Sequence, residues 1–168
     1  MTPSSRQTWR MGASVHLVVD ANVLVAELLR VRGLELLTND SLSLFTTSQV
    51  VSETNHELRR RLDLLLRRGR VLPEEAAIIL ADAERLITTT LSVASQADYL
   101  DYLVGAARRM LRDRDDVPSM ALALALDCGV WTNDQDFFGC GVPVWSTDVL
   151  LRHLDYLQEE GSSDGIYG

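Results

Sequence analysis

Two short apolar runs that each end in an acid constrain this chain more than any other feature. Val15-His16-Leu17-Val18-Val19 passes straight into Asp20-Ala21-Asn22, and Cys128-Gly129-Val130-Trp131 stops abruptly at Thr132-Asn133-Asp134-Gln135-Asp136. Apolar runs this short, bounded by polar residues, read as buried strands. In open parallel α/β sheets ligands bind just beyond the carboxyl ends of the strands. Both runs therefore deliver carboxylates to a place where chemistry is done.

The segments around them alternate strand and helix. Strand one covers Ser14 to Val19, and a helix follows from Ala21 to about Arg30. Gly33 breaks it, and Leu34 to Leu37 forms a short second helix. Ser43 to Thr47 is a second strand, with Ser48 as expected N-cap of a helix from Gln49 to Arg68, since a hydroxyl there satisfies orphan amides. Pro73, with Glu74 and Glu75, opens the next helix, as proline and acids do at a first turn. Thr88 to Val93 is β-prone and is the candidate third strand. Ala97 to Leu111 has an amphipathic helical pattern. The apolar MALALAL helix, Ser119 to Asp127, starts at Pro118 and is capped by Gly129; its apolar circumference demands burial on most faces. Strands at Val130–Thr132 and Val142–Trp145 and a helix from Thr147 to Gln158 complete the order. The expected fold is a three-layer α/β/α domain with a mostly parallel sheet of four or five strands. It spans residues 13–158, between a flexible lead (1–12) and a flexible tail (159–168).

A chain of 168 residues can bury a core without staples. No apolar run approaches the roughly 20 residues that span a bilayer, and no signal-peptide core follows the polar start; a cytoplasmic protein is expected. Cys128 and Cys140 lack zinc or redox spacing and read as small apolar fillers. His16, His56 and His153 are scattered, which speaks against zinc, and His16 reads as a core histidine.

Net charge is −8, and every basic residue is arginine. The arginines cluster at Arg59-Arg60-Arg61, at Arg67, Arg68 and Arg70, and at Arg108, Arg109, Arg112 and Arg114. Arginine forks suit bidentate phosphate contact. The competing reading is a solvated helix face paired with Glu57, Asp63 and Asp113.

Acids at element ends gather at one sheet edge: Asp20 after strand one, Glu53 on the helix after strand two, Asp116 before the apolar helix, and Asp134 after the Trp131 strand, with Asp136 as a fifth. Like charges held close are costly unless neutralised, and an oxygen-only cluster suits Mg²⁺ or Mn²⁺. Such ions lower the pKa of a bound water and support in-line phosphoryl displacement, which makes phosphodiester hydrolysis the expected reaction. Each of three acids also has a structural use: Asp20 and Asp116 as helix caps, Asp134 in an Asx turn. Glu53, placed on the inner side of its helix, has none.

VVDANVL, SQVVSE, DRDDVPSMALALAL and WTNDQDF, in that order, resemble the PIN domain family of small α/β ribonucleases, which includes toxins of bacterial toxin–antitoxin pairs. The resemblance covers Ser14 to Leu157. It implies a metal-dependent endoribonuclease whose four acids fall on Asp20, Glu53, Asp116 and Asp134. It further implies that Asp20, Asp116, Asp134 and Asp136 hold Mg²⁺ or Mn²⁺, that Asn22 and Thr132 orient ligands or water, and that Ser48 lies nearby. Asp113 and Asp115 compete with Asp116 for the third position. Single-stranded RNA is the expected substrate, with Arg59, Arg60, Arg112 and Arg114 on its phosphates. An antitoxin and a homodimer through Ala97–Leu111 and Thr147–Leu157 are the implied protein partners. The alternative is a non-catalytic RNA- or protein-binding module of the same fold. A phosphoaspartyl hydrolase is disfavoured by Asn22 and the lack of lysine, and a P-loop enzyme by the lack of GxxxxGK[ST].

Overall fold

Burial on both faces explains the continuous apolar strands. The computed structural model describes residues 14–163. β1 (Val15–Val19) pairs with β2 (Leu42–Thr47) on one side and β4 (Gly129–Trp131) on the other, and the outer positions go to β3 (Leu91–Ala94) and β5 (Val144–Trp145). All pairings are parallel and the order is β3-β2-β1-β4-β5. The strand order reverses direction between β1 and β4, and a parallel sheet opens a crevice at that switch point.

Alternate residues of the sheet feed two cores. Leu17, Val19, Leu44 and Trp131 pack under α1 (Ala21–Leu28), α2 (Val31–Leu37), α3 (Ser48–Arg67), α4 (Pro73–Thr90) and α8 (Thr147–Ser163). Val18 and Val130 face the other way, against α5 (Gln96–Tyr99), α6 (Leu103–Arg109) and α7 (Val117–Leu126). α7 is sandwiched between the sheet and α5–α6, so Met120, Ala121, Leu122 and Ala123 are all buried. The three-layer α/β/α expectation holds, with five strands.

Several local expectations shift. Thr47, not Ser48, caps α3: its Oγ1 accepts the Val50 amide at 3.1 Å. The threonine run stays helical to Thr90, each hydroxyl bonding a carbonyl one turn back, so β3 begins only at Leu91. Ala97–Leu111 is not one helix. The buried Tyr99 leaves helical backbone at φ −132°, and a 3₁₀ turn over Leu100–Tyr102 separates α5 from α6. Asp127, left-handed at φ 49°, ends α7 in place of Gly129. Gly129 belongs to β4, where a Cβ would stand 2.9 Å from the Trp145 indole nitrogen. β5 starts at Val144 rather than Val142. α8 reaches Ser163 and takes up residues 159–163 of the expected tail, while the 1–12 lead lies outside the described residues. His16 is exposed, edge-on to Phe45 at 5.9 Å, rather than a core residue. Cys140 is buried and Cys128 half-buried; burial pushes the Cys128 thiol up to about 11, so it stays protonated and inert.

One buried polar chain has no signature in the sequence. The Trp131 indole N–H donates to Thr147 Oγ1 at 3.1 Å, and that hydroxyl donates to Glu27 Oε1 at 3.0 Å. Glu27 is only 3% exposed, and α2 closes over it through Gly33, whose missing side chain is essential: a Cβ would lie 2.2 Å from the Glu27 carbonyl oxygen. Among the described residues, no helix is long and apolar enough to cross a membrane. Overpacking of this kind costs about 2 kcal/mol. Gly33→Ala is therefore expected to lower the thermal midpoint by roughly 4–8 °C, read by circular dichroism, and an unchanged midpoint would refute the close contact.

Candidate active site

The crevice between β1 and β4 collects the acids. The Asp20 amide continues the β1–β4 ladder by donating to the Trp131 carbonyl at 3.1 Å, so Asp20 sits one residue past its strand, beside Thr132. The Thr132 hydroxyl donates to Asp20 Oδ2 at 2.9 Å and accepts the Asp134 amide at 3.0 Å. Asp20 Oδ1 accepts the Ala21 amide at 2.8 Å, and Asp134 Oδ1 accepts the Asp136 amide at 2.9 Å. The cap of α1 and the Asx turn foreseen as structural alternatives are therefore both present. They are also what holds these carboxylates in place.

Asp116 differs. It occupies the N-cap position of α7 but makes no side-chain cap bond, and its Oδ2 is buried without a hydrogen-bond partner among the described residues. A buried, unpartnered carboxylate oxygen is expensive. Burial pushes the Asp116 carboxyl up to about 7, helped by the charges of Asp20, Asp113, Asp134 and Asp136. Asp20 is also raised, first by burial and then by Asp134 and Glu53; the Thr132 and Ala21 hydrogen bonds oppose the rise. Of the three competing acids it is Asp116 that faces this cluster: Asp113 Oδ1 is tied to the Asp115 amide at 2.9 Å, and Asp115 is exposed.

Glu53 is not on the inner side of α3. It is exposed and accepts from Gln49 Nε2 at 2.9 Å, one turn back, although its charge still reaches Asp20. Ser48 is exposed at the start of α3. Asn22, Arg112, Asn133, Asp134, Gln135 and Asp136 line an open cleft of about 610 Å³. A smaller hollow of about 400 Å³ at the α3–α4 turn, lined by Arg70, Val71, Glu75, Ile78 and Ile79, has no comparable acid cluster. Two residues that the sequence did not single out lie close by in the fold. Ser119, one turn into α7 from Asp116, has a buried hydroxyl without a partner, and the buried Thr46 donates to the Val19 carbonyl at 3.2 Å.

The arginine clusters separate. Arg60 and Arg61 pair with Glu57 at 2.7 and 2.9 Å, which holds Glu57 down at about 2, and Arg59 reaches Glu84 of α4 at 3.2 Å. That group is a solvated, ion-paired helix face. Arg112 instead stands in the cleft, 3.5 Å from Asp136, and the exposed Arg114 makes no ion pair among the described residues.

The donor set suits a hard divalent cation: every acid in the cleft offers oxygen only, and the orphaned Asp116 Oδ2 lacks a positive partner. Among the described residues, no three His, Cys, Asp or Glu side chains converge into a ready cage. Mg²⁺ does not require one, since it retains several waters and uses one or two carboxylates directly.

A family model described as the PIN domain matches residues 18–155. No curated protein matches the chain. Nine chains of solved structures do. One is the crystal structure of FitAcB from Neisseria gonorrhoeae, 22% identical, covering 77% of this chain and 96% of that one with a TM-score of 0.48.

A pH prediction follows from Asp116. Its carboxyl binds a proton up to about pH 7 when folded, against an ordinary value of 3.8. Between those values the folded state holds the extra proton, so stability falls as pH rises. In EDTA the wild-type thermal midpoint should decline from about pH 4 to pH 7, and Asp116→Asn should flatten the slope and be the more stable near pH 7. Identical profiles would contradict the placement of Asp116.

Proposed function

Because this chain belongs to the PIN domain family, we propose that it is a divalent-metal-dependent endoribonuclease, hydrolysing RNA phosphodiester bonds at the cluster of Asp20, Asp116, Asp134 and Asp136, with Glu53 at its edge. The observation that carries this reading is the buried Asp116 Oδ2, which has no hydrogen-bond partner and a carboxyl displaced to about 7. A protein gains nothing in stability from such a group, whereas perturbed acids in a cleft mark functional sites.

Asp20, Asp116, Asp134 and Asp136 would hold Mg²⁺ or Mn²⁺. When bound, such an ion would supply activation of water for attack and compensation of phosphoryl charge. The chain's own contribution is positioning. Thr132 and the Ala21 amide each hold one oxygen of Asp20, leaving further lone pairs free. The Asp136 amide occupies Asp134 Oδ1, and Asp134 Oδ2 makes no hydrogen bond among the described residues. Arg112 supplies a cation that can exchange Asp136 for a phosphate, and Arg114 extends that contact. Single-stranded RNA fits best, since an open cleft admits a splayed backbone more readily than an A-form duplex.

The proposed setting is a cytoplasmic toxin whose protein antitoxin covers the cleft. It acts as a homodimer through the Ala97–Leu111 and Thr147–Leu157 segments, where Leu100, Val104, Val149 and Tyr156 are exposed. The second reading, a non-catalytic module, draws on the lack of a ready cage. Carboxylates without an ion repel and splay, however, so that observation weighs little.

Labelled single-stranded RNA incubated with Mg²⁺, Mn²⁺ or EDTA tests the reading. Cutting should need the metal. Asp20→Asn should lose at least about a hundredfold, and Thr132→Val roughly 10–100-fold, as groups that support a metal ligand do, with circular dichroism unchanged. EDTA-resistant cutting, or a fully active Asp20→Asn, would contradict it. Folded wild type that binds RNA but never cuts it would favour the module.

A further inference from the structure

We infer that the loop from Asn133 to Phe138 reads a nucleobase next to the phosphate held in the cleft, with adenine preferred. The inference deepens the ribonuclease reading and rests on it for the nature of the ligand. Asn133 and Gln135 line the cleft beside Asp134 and Asp136, are exposed, and make no side-chain hydrogen bond among the described residues. Each carboxamide presents a donor and an acceptor side by side, the complement of adenine N6 and N7. Phe138 follows. Its ring is 66% exposed, while that of Phe137 is fully buried.

Isolated exposed apolar residues are ordinary, but this one shares a rigid loop with two unpaired amides. The Phe138 amide donates to the Gln135 carbonyl at 3.0 Å, closing a 3₁₀ turn. Phe138 directly follows this turn, three residues after Gln135, with its side chain exposed at the edge of the loop that lines the cleft. The next turn is held by Arg109, which donates to the Cys140 carbonyl at 2.9 Å, and Gly139 and Gly141 take its positive φ values of 81° and 88°. The hydrogen bonds that close this loop lower the backbone entropy lost on binding. An aromatic face stacks on any base, amides discriminate between bases, and Arg112 on the cleft wall takes the phosphate.

The test is fluorescence anisotropy with hydrolysis-resistant phosphorothioate RNA hexamers of A, C, G or U, titrated with full-length protein in Mg²⁺. Wild type should bind the A hexamer about tenfold more tightly than the others, as one bidentate contact allows. Asn133→Ala and Gln135→Ala should compress that difference. Phe138→Ala should weaken all four about equally, by roughly tenfold, since stacking is tolerant of sequence. Equal binding of the four hexamers by wild type, or an undiminished A preference in both amide variants, overturns the inference. The cleavage assay reports separately on the ribonuclease reading. A protein that discriminates bases without cutting RNA fails that reading and keeps this one; a protein that cuts RNA without discriminating does the reverse.

Discussion

The hydrogen bond from Thr132 to Asp20 is the contact on which the site depends. It ties together the ends of two neighbouring parallel strands separated by 112 residues of sequence, at the point where the strand order reverses. Around it the backbone supplies the rest: the Asp20 amide bonds Trp131, the Asp134 amide bonds the same Thr132 hydroxyl, and Asp134 in turn holds Asp136. One hydroxyl thus orients two acids directly and a third through its neighbour. Such a hydrogen bond contributes about 1.5–3 kcal/mol when one partner is charged, and it works against the burial that raises Asp20.

What the chain leaves unbalanced is as informative as what it satisfies. On the surface of α3 an acid finds partners readily: the half-buried Glu57 has two arginines and is held at about 2. Around the cleft burial and the charges of Asp20, Asp113, Asp134 and Asp136 all raise Asp116, whose buried Oδ2 has no hydrogen-bond partner among the described residues, and nearby Arg112 is half-engaged at 3.5 Å and largely exposed. Arg59, Arg60 and Arg61 are thus spent on acids of a solvated helix face, while Arg112 lines the acidic cleft. Under the proposed function a bound divalent cation would restore that balance and would reconcile a net charge of −8 with a polyanionic substrate.

Strand positions were legible because Leu17, Val18 and Val19 are buried on both faces, which forces a short unbroken apolar run. Asp20, Asp134 and Asp116 could be located for the same reason, each lying at the boundary of a strongly patterned element. The face of α3 carrying Glu53 could not, since helical spacing fixes relative phase while the packing partners decide which side turns inward. Pairing of Arg59 with Glu84 spans 25 residues and two helices, beyond the reach of local charge patterning. The Glu27–Thr147–Trp131 chain joins three elements distant in sequence and leaves no periodic trace. The break between α5 and α6 arises because Tyr99 is buried in a core contributed mainly by other segments.

Fold and proposed chemistry meet at Asp116: α7 is buried enough to desolvate the carboxylate at its start, and under the proposed function a cation would answer that desolvation. Calorimetric titration of Mn²⁺ into metal-free wild type, Asp20→Asn and Asp116→Asn tests this most directly. Saturable binding by wild type, weakened at least about tenfold in either variant, is the expected result. No binding by folded wild type, or equal binding by all three proteins, would contradict the metal-dependent site.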